Sequence, residues 1–161
     1  MGETDMKKTA DTERLTLRQL TPEEWTLIVN NIIDNGEVLW QFGCEDGDAF
    51  REAASEMNSG EVIYRAIVLK SSCEIIGYAG VTPVSGNIEF YVLNAFRRQG
   101  YAYEGIRTFI EMCGLDRITA ETMCDNEPSI RLLEKLGFRS NGFGFNFSTN
   151  QSLRMFEWQG S

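Results

Sequence analysis

The chain contains no histidine. The commonest acid–base side chain near neutral pH and the commonest nitrogen ligand for zinc are therefore both missing. A metal site would have to recruit carboxylates or the four cysteines, Cys44, Cys73, Cys113 and Cys124, no two of which form a C-x-x-C pair. No metal is expected. No apolar run approaches the roughly 20 residues that a membrane-spanning helix needs. The opening MGETDMKKTADTE is polar and holds no apolar stretch for a signal peptide. Bases are in deficit, with 15 Lys and Arg against 24 Asp and Glu and a formal net charge of -9. So acidic a chain lacks a general phosphate-binding surface, which argues against nucleic acid as a partner and for a cationic one. These absences lead us to expect a cytoplasmic protein with reduced thiols, no membrane contact and no metal.

What is present suits one folded unit. The 161 residues are 42% hydrophobic, enough for one proper core and too few for two. No repeat, low-complexity segment or Pro- or Gly-rich linker interrupts them. Residues 1–10 are expected to be a disordered N-terminal segment and residues 11–161 a single domain. Leu15 and Leu17 alternate with Thr16 and Arg18, which predicts a half-buried strand. Thr21 then caps a helix through PEEWTLIVNNI, with Pro22 in its first turn and Glu24 three residues after the cap. GDAFREAASEMN predicts a second, more polar helix. EVIYRAIVLK and EIIGYAGVTP predict a hairpin, and NIEFYVLN a further strand with Ile88, Phe90 and Val92 on one face and Glu89, Tyr91 and Leu93 on the other. Ala102, Ile106, Phe109, Ile110 and Cys113 recur at helical spacing up to Gly114. RITAETMC predicts a strand, DNEPSIRLLEKLG a short helix, and FGFNF with SLRMFEW a closing hairpin. The expected order is β-α-α-β-β-β-α-β-α-β-β.

That order gives meaning to FRRQGYAYEG, residues 96–105. A strand ends near Asn94, a loop carries Arg97 and Arg98, and a helix begins near Gly100. Unpaired N–H groups and the positive end of the helix dipole point out of such a turn, which makes it an anion site. Gly100 lets an anion approach the backbone, and Ala102 keeps the next turn thin. The spacing R-x-x-G-x-A satisfies neither a Walker loop nor the G-x-G-x-x-G dinucleotide fingerprint. An ordinary helix start with solvated arginines is the alternative.

The loop, the strand IEFYVLNAF before it and the later DNEPSIRLLEKLGF resemble the GNAT superfamily of acetyl-CoA-dependent N-acetyltransferases, and TERLTLRQLTPEEW resembles the opening of its RimJ/RimL-like branch. The resemblance spans about residues 11 to 158. It implies a mixed α/β (α+β) fold with a mostly antiparallel twisted sheet of six to seven strands flanked by about four helices. It also implies acetyl-CoA as co-substrate and direct acetyl transfer to a primary amine. Residue by residue, Gln99, Gly100, Tyr101 and Ala102 would give backbone N–H groups to the coenzyme pyrophosphate, with charge from Arg97 and Arg98. Tyr91, Val92 and Leu93 would pair with the pantetheine arm, and an N–H around Tyr91 or Val92 would hold the oxyanion. Asn126 corresponds to an asparagine that hydrogen-bonds the coenzyme arm, or is a plain helix cap. Ser129 corresponds to a hydroxyl near the thioester sulfur, or satisfies a free N–H in the first helical turn.

One departure is informative. Where many members of the superfamily carry a tyrosine that protonates the leaving thiolate, this chain has Leu133. Ser129, a tyrosine such as Tyr101, or solvent would take that part. Without histidine the base must be a carboxylate, and Glu89 on the central strand is the candidate, against the alternative that it merely pairs with a charged neighbour.

Acidity is concentrated early, with 13 acids against 5 bases in residues 1–60. On the family fold this region is the acceptor side, so Glu37, Glu45, Asp46 and Asp48 could receive a cationic amine, or form a solvated acidic surface. Trp25, Trp40, Phe42 and Phe50 line the acceptor pocket or belong to the core. The expected acceptor is a small amine or a protein N-terminus. A homodimer is left open. The alternative function is an acyl-CoA-binding sensor or interaction module with little turnover.

Overall fold

Two short strands open the fold, β1 (Ala10–Asp11) and β2 (Leu15–Arg18), paired antiparallel. In this computed structural model, residues 6–36, 44–56, 60–147 and 150–160 are described. Helices α1 (Pro22–Asp34) and α2 (Gly47–Glu56) follow, then strands β3 (Ile63–Leu69), β4 (Ile75–Thr82) and β5 (Asn87–Val92). A single 3-10 turn (Asn94–Phe96) leads to α3 (Tyr101–Cys113), β6 (Arg117–Met123), α4 (Glu127–Lys135) and the hairpin β7 (Arg139–Asn146) and β8 (Gln151–Gln159). The strands form one eight-stranded sheet, ordered β1-β2-β3-β4-β5-β6-β8-β7. The mixed α/β class and the mostly antiparallel sheet are as expected. The strand count exceeds six to seven because β1, too short to show in a hydrophobic pattern, adds one.

Within the N-terminal segment expected to be disordered, residues 1–10, Met6 is only 2% exposed within the core and the Lys7 carbonyl accepts a hydrogen bond from Arg65 Nε at 3.1 Å. One apolar side chain and one backbone group suffice to dock the segment, and neither makes a periodic signal.

Each helix starts where its local chemistry dictates. Thr21 and Glu24 form a reciprocal capping box on α1, and Asp46 and Asn126 accept from the first turns of α2 and α4. The sheet is covered on both faces. On one, Ile106, Phe109 and Ile110 of α3 and Leu133 of α4 pack on Ile88, Ile118 and Ala120. On the other, Trp25, Ile28 and Ile32 of α1 and Phe50 of α2 pack on Tyr78 and Tyr91. Burying each such side chain contributes about 1.5–3 kcal/mol, so the two layers fix the helices against the sheet. Among the described residues no helix is long and apolar enough to cross a membrane.

What positions the site is the junction between β5 and β6, the one parallel pairing in the sheet. It holds a single pair in register, Asn87 with Thr119, where the Thr119 N–H donates to the Gly86 carbonyl at 3.0 Å. Past that pair the strands part, leaving the edge of β5 open along a cleft.

Candidate active site

Of the four helices, α3 alone has no side-chain cap. Its N-cap is Gly100, at φ +81° in the left-handed region, and its first internal bond runs from the Glu104 N–H to the Gly100 carbonyl at 3.1 Å. The N–H groups of Gly100, Tyr101, Ala102 and Tyr103 therefore have no acceptor within the helix. The nearest atom that a Cβ on Gly100 would meet is Arg14 Nη2 at 3.3 Å, so the far side of this backbone is open.

The turn borders a cavity of about 650 Å³ lined by Val92, Arg97, Arg98, Gly100, Ala102 and Lys135 among others. It continues past Phe90, Asn126 and Ser129 into a second cavity of about 280 Å³ between β5 and β6. Charge is divided along the cleft. Among the described residues, the larger cavity is lined by three cations, Arg97, Arg98 and Lys135, and no acid, and the smaller by Glu89 and Glu121 and no cation.

Backbone direction along β5 decides which groups face the cleft. The Leu93 N–H donates to the Ile76 carbonyl at 2.7 Å, and Val92 lies opposite Gly77. By alternation the N–H groups of Tyr91 and Leu93 turn to β4, while those of Phe90 and Val92 turn to the open edge. The sequence reading named Tyr91, Val92 and Leu93. Of these Val92 presents an edge N–H, the other two amides are taken by β4, and Phe90 was missed. The Val92 carbonyl accepts from Arg97 Nε at 3.0 Å, and the Arg97 guanidinium lies 5.1 Å from the centre of the Tyr91 ring. Arg97 thus braces the end of β5, whereas the exposed Arg98 makes no side-chain hydrogen bond, ion pair or ring contact with a described residue.

Gly100, Tyr101 and Ala102 line the larger cavity, but Gln99 does not, and its carbonyl is bound from behind by Arg14 Nη1 at 2.9 Å. Asn126 is 7% exposed, accepts from the Ser129 N–H at 3.4 Å and lines both cavities, so the cap reading and the cleft position hold together. Ser129 also lines both cavities. Leu133 lines the smaller cavity, whereas Tyr101 lies at the Gly100 end of the larger one, away from it.

Glu89 sits on β5 between two phenols, accepting from Tyr64 Oη at 2.9 Å and Tyr78 Oη at 3.5 Å. Burial pushes its carboxyl above the usual range, and the two phenolic hydrogen bonds oppose that rise. Burial, with the Glu89 charge, pushes both phenols up, so they stay protonated donors. Trp25 packs on Tyr64 and edge-on against Tyr78, locking the trio. Glu89 thus has neutral partners, not the charged neighbour that was the alternative.

Among the described residues the early acids line neither cavity. Asp46 caps α2, Glu45 and Asp48 line neither cavity, and Glu37 lies outside the described residues. Trp25 and Phe50 are core, and Trp40 and Phe42 also lie outside the described residues.

Fold and cleft together place a cationic turn beside a parted strand. The profile of the family described as Acetyltransferase (GNAT) domain matches residues 14–139, and the chain belongs to that family. It is an acyltransferase. The uncharacterized N-acetyltransferase YoaA of Bacillus subtilis (strain 168) is 29% identical over 148 residues, covering 82% of this chain and 83% of that one. Among solved structures, the ribosomal-protein-S5-alanine acetyltransferase from Vibrio fischeri superposes with a TM-score of 0.72 at 15% identity, covering 95% and 97% of the two chains. The spermidine N-acetyltransferase from Vibrio cholerae, in complex with CoA and spermine, does so at 0.73 and 16%, covering 92% and 96%. At these identities the likeness is one of fold.

Proposed function

We propose that the chain transfers an acetyl group from acetyl-CoA directly to a primary amine in a ternary complex. The observation that carries this reading is the start of α3, where four amides have no acceptor within the helix and no side-chain cap among the described residues, at the cationic end of a cleft whose wall is an open strand edge. Gly100, Tyr101 and Ala102, with Arg98 and Lys135, would hold the diphosphate. Phe90 and Val92 would pair with the pantetheine arm, and Asn126 would meet it from α4. The thioester supplies an activated acetyl group. The Val92 N–H is the edge donor for the oxyanion, and Glu89 takes the proton released as the amine nitrogen bonds to the carbonyl carbon. The carbon–sulfur bond then breaks, and the thiolate takes a proton from Ser129 or solvent. Among the described residues no cysteine lines either cavity, which favours direct transfer over a thioester-linked enzyme.

The acceptor enters from the carboxylate end, past Glu89 and Glu121, which suits a cationic molecule, either a small amine or a protein N-terminus. An α-amino group, with a pKa of about 8, is partly neutral near pH 7, whereas a lysine at about 10.4 is mostly charged, so a single carboxylate base serves the former better. None of the four cysteines forms a disulfide, which suits a reducing compartment.

Leu133 in the smaller cavity supports a second reading, an acyl-CoA-binding module with little turnover. Melting with and without saturating acetyl-CoA tests the donor site, since ligand at a hundred times its Kd adds about 2.7 kcal/mol. Mass measurement of acetylated amines and basic peptides then separates the readings. A rise of several degrees with acetylated product is expected. A rise without product on any amine supports the module, and no rise overturns both.

A further inference from the structure

The anion loop is held from behind by a residue far away in sequence. Arg14 lies in the turn between β1 and β2 and reaches α3 by several routes. Its Nε meets Glu104 Oε1 at 2.8 Å, its backbone N–H donates to Glu104 Oε2 at 3.0 Å, and its guanidinium stacks 4.4 Å from the centre of the Tyr101 ring. Thr12 Oγ1 donates to the same Glu104 carboxylate. Burial pushes that carboxyl up, but the bonds from Thr12 and Arg14 take it below the ordinary range, so it is ionised. Thus anchored, Arg14 donates from Nη1 to the Gln99 carbonyl at 2.9 Å.

The consequence follows from peptide geometry. The bond between Gln99 and Gly100 is trans, so its C=O and N–H point in opposite directions. Fixing the carbonyl toward Arg14 therefore aims the Gly100 N–H away from it, and Gly100 lines the larger cavity while Arg14 does not. Arg98 and Gly100 both adopt left-handed backbone, at φ 62° and 81°, on either side of this peptide. Glycine adopts that backbone freely, but Arg98 carries a Cβ and is strained there, so an external hold on the turn stabilises it.

We propose that Arg14, held by Glu104, is a positioning residue that orients the loop amides for the diphosphate of the coenzyme. This rests on the acetyl-CoA reading above. Arg14 touches no part of the acceptor end, so its effect falls on the donor's diphosphate and spares the acyl group.

Two readouts test it, the sign of one substitution and the choice between two donors. By charge alone, Glu104→Gln removes a negative charge beside an anion site and should tighten coenzyme A. As a holder of Arg14, Glu104 should instead be needed, and the substitution weakens binding. Titration calorimetry with coenzyme A, and steady-state kinetics with acetyl-CoA and S-acetylpantetheine, read both. We expect the Kd for coenzyme A to rise about tenfold in Arg14→Ala and severalfold in Glu104→Gln. The preference in kcat/KM for acetyl-CoA over S-acetylpantetheine should fall by a similar factor. Arg14→Lys keeps the charge but not the planar fork and should recover little. Unchanged or tighter coenzyme binding in Glu104→Gln, full recovery in Arg14→Lys, or equal losses with both donors would overturn the proposal. If Arg14→Ala does not fold, Arg14→Lys and Glu104→Gln decide the question alone. A flat titration of the unsubstituted protein overturns the coenzyme reading itself.

Discussion

The two ends of the cleft are built from different material. On the proposed reading, the donor end works through amides of Gly100, Tyr101 and Ala102, and side chains such as Arg14 and Arg97 hold the backbone in place. The acceptor end would work through one side chain, Glu89, and other side chains, Tyr64, Tyr78 and Trp25, hold it. A backbone site reads its ligand by shape and tolerates change in most side chains, provided Cβ atoms stay out of the way. A side-chain site depends on the identity and ionisation of a single group. Substitutions should therefore affect binding at one end and turnover at the other.

The largest effect is expected at Gly100. Gly100→Glu forces a left-handed residue to carry a Cβ, which costs about 1–2 kcal/mol, and brings a carboxylate to an anion site. Binding of coenzyme A by calorimetry should fall by at least about a hundredfold, with circular dichroism unaltered; unchanged affinity would refute the phosphate-loop assignment. Next is Glu89→Gln, for which kcat should fall by about 10²–10³ while the Kd for coenzyme A stays within about twofold. Equal loss in both would show that the two ends are not separable. Ser129→Ala should lower kcat roughly tenfold and affinity less, because a thiolate leaves readily even without a dedicated acid. Unaltered kinetics remove Ser129 from the mechanism and leave solvent as the acid.

A smaller and more diagnostic effect concerns pH. As a base Glu89 must be ionised, and burial raises its pKa, so the acid limb of kcat should lie above the ordinary carboxylate range. The Tyr64 hydrogen bond stabilises the ionised form and opposes that rise. Tyr64→Phe should therefore move the limb to higher pH, by under about one unit for a bond worth about 1 kcal/mol. A shift to lower pH, or none, would mean that Glu89 is not the group titrating.

Smallest, and a control remote from both ends, is the cap of α1. The Arg18 hydrogen bond, with help from Thr21, holds Glu24 down at about 2 against its burial. The unfolded chain takes up this proton more readily, so the stabilisation is present above the ordinary 4.5 and is lost as pH falls toward 2. The pair is at the surface, and Glu24→Gln should cost about 1 kcal/mol or less, seen as a lower Tm at pH 7 that converges with the parent below pH 3 or so. Coenzyme affinity should not move.

The same contrast explains what could be read from sequence. The helix start at Gly100 was legible because a left-handed glycine and the helical spacing after it are local features. Capping of α1 was legible for the same reason, as Thr21 and Glu24 are three residues apart. The edge parity of β5 was not, since whether Phe90 or Leu93 faces the cleft depends on its register against β4, which no segment encodes alone. The hold of Arg14 on Gln99 spans 85 residues and that of Tyr64 on Glu89 spans 25, separations that only the folded sheet closes. Glu121 was missed because an exposed acid on a strand has no local mark, and it becomes a candidate only when β6 parts from β5 beside Glu89.

That parting also has a mechanical meaning. The eight strands are in effect two plates, β1 to β5 and β6 with β8 and β7, joined in the sheet at Asn87 and Thr119. A donor lying along the β5 edge would bridge the gap as a removable rung, stiffening the molecule across its weakest seam. Occupancy should then be readable without any assay of chemistry, as slowed hydrogen exchange at the Phe90 and Val92 amides while those of Tyr91 and Leu93, already committed to β4, keep their rates. Equal slowing of all four would show instead that the plates close as one body.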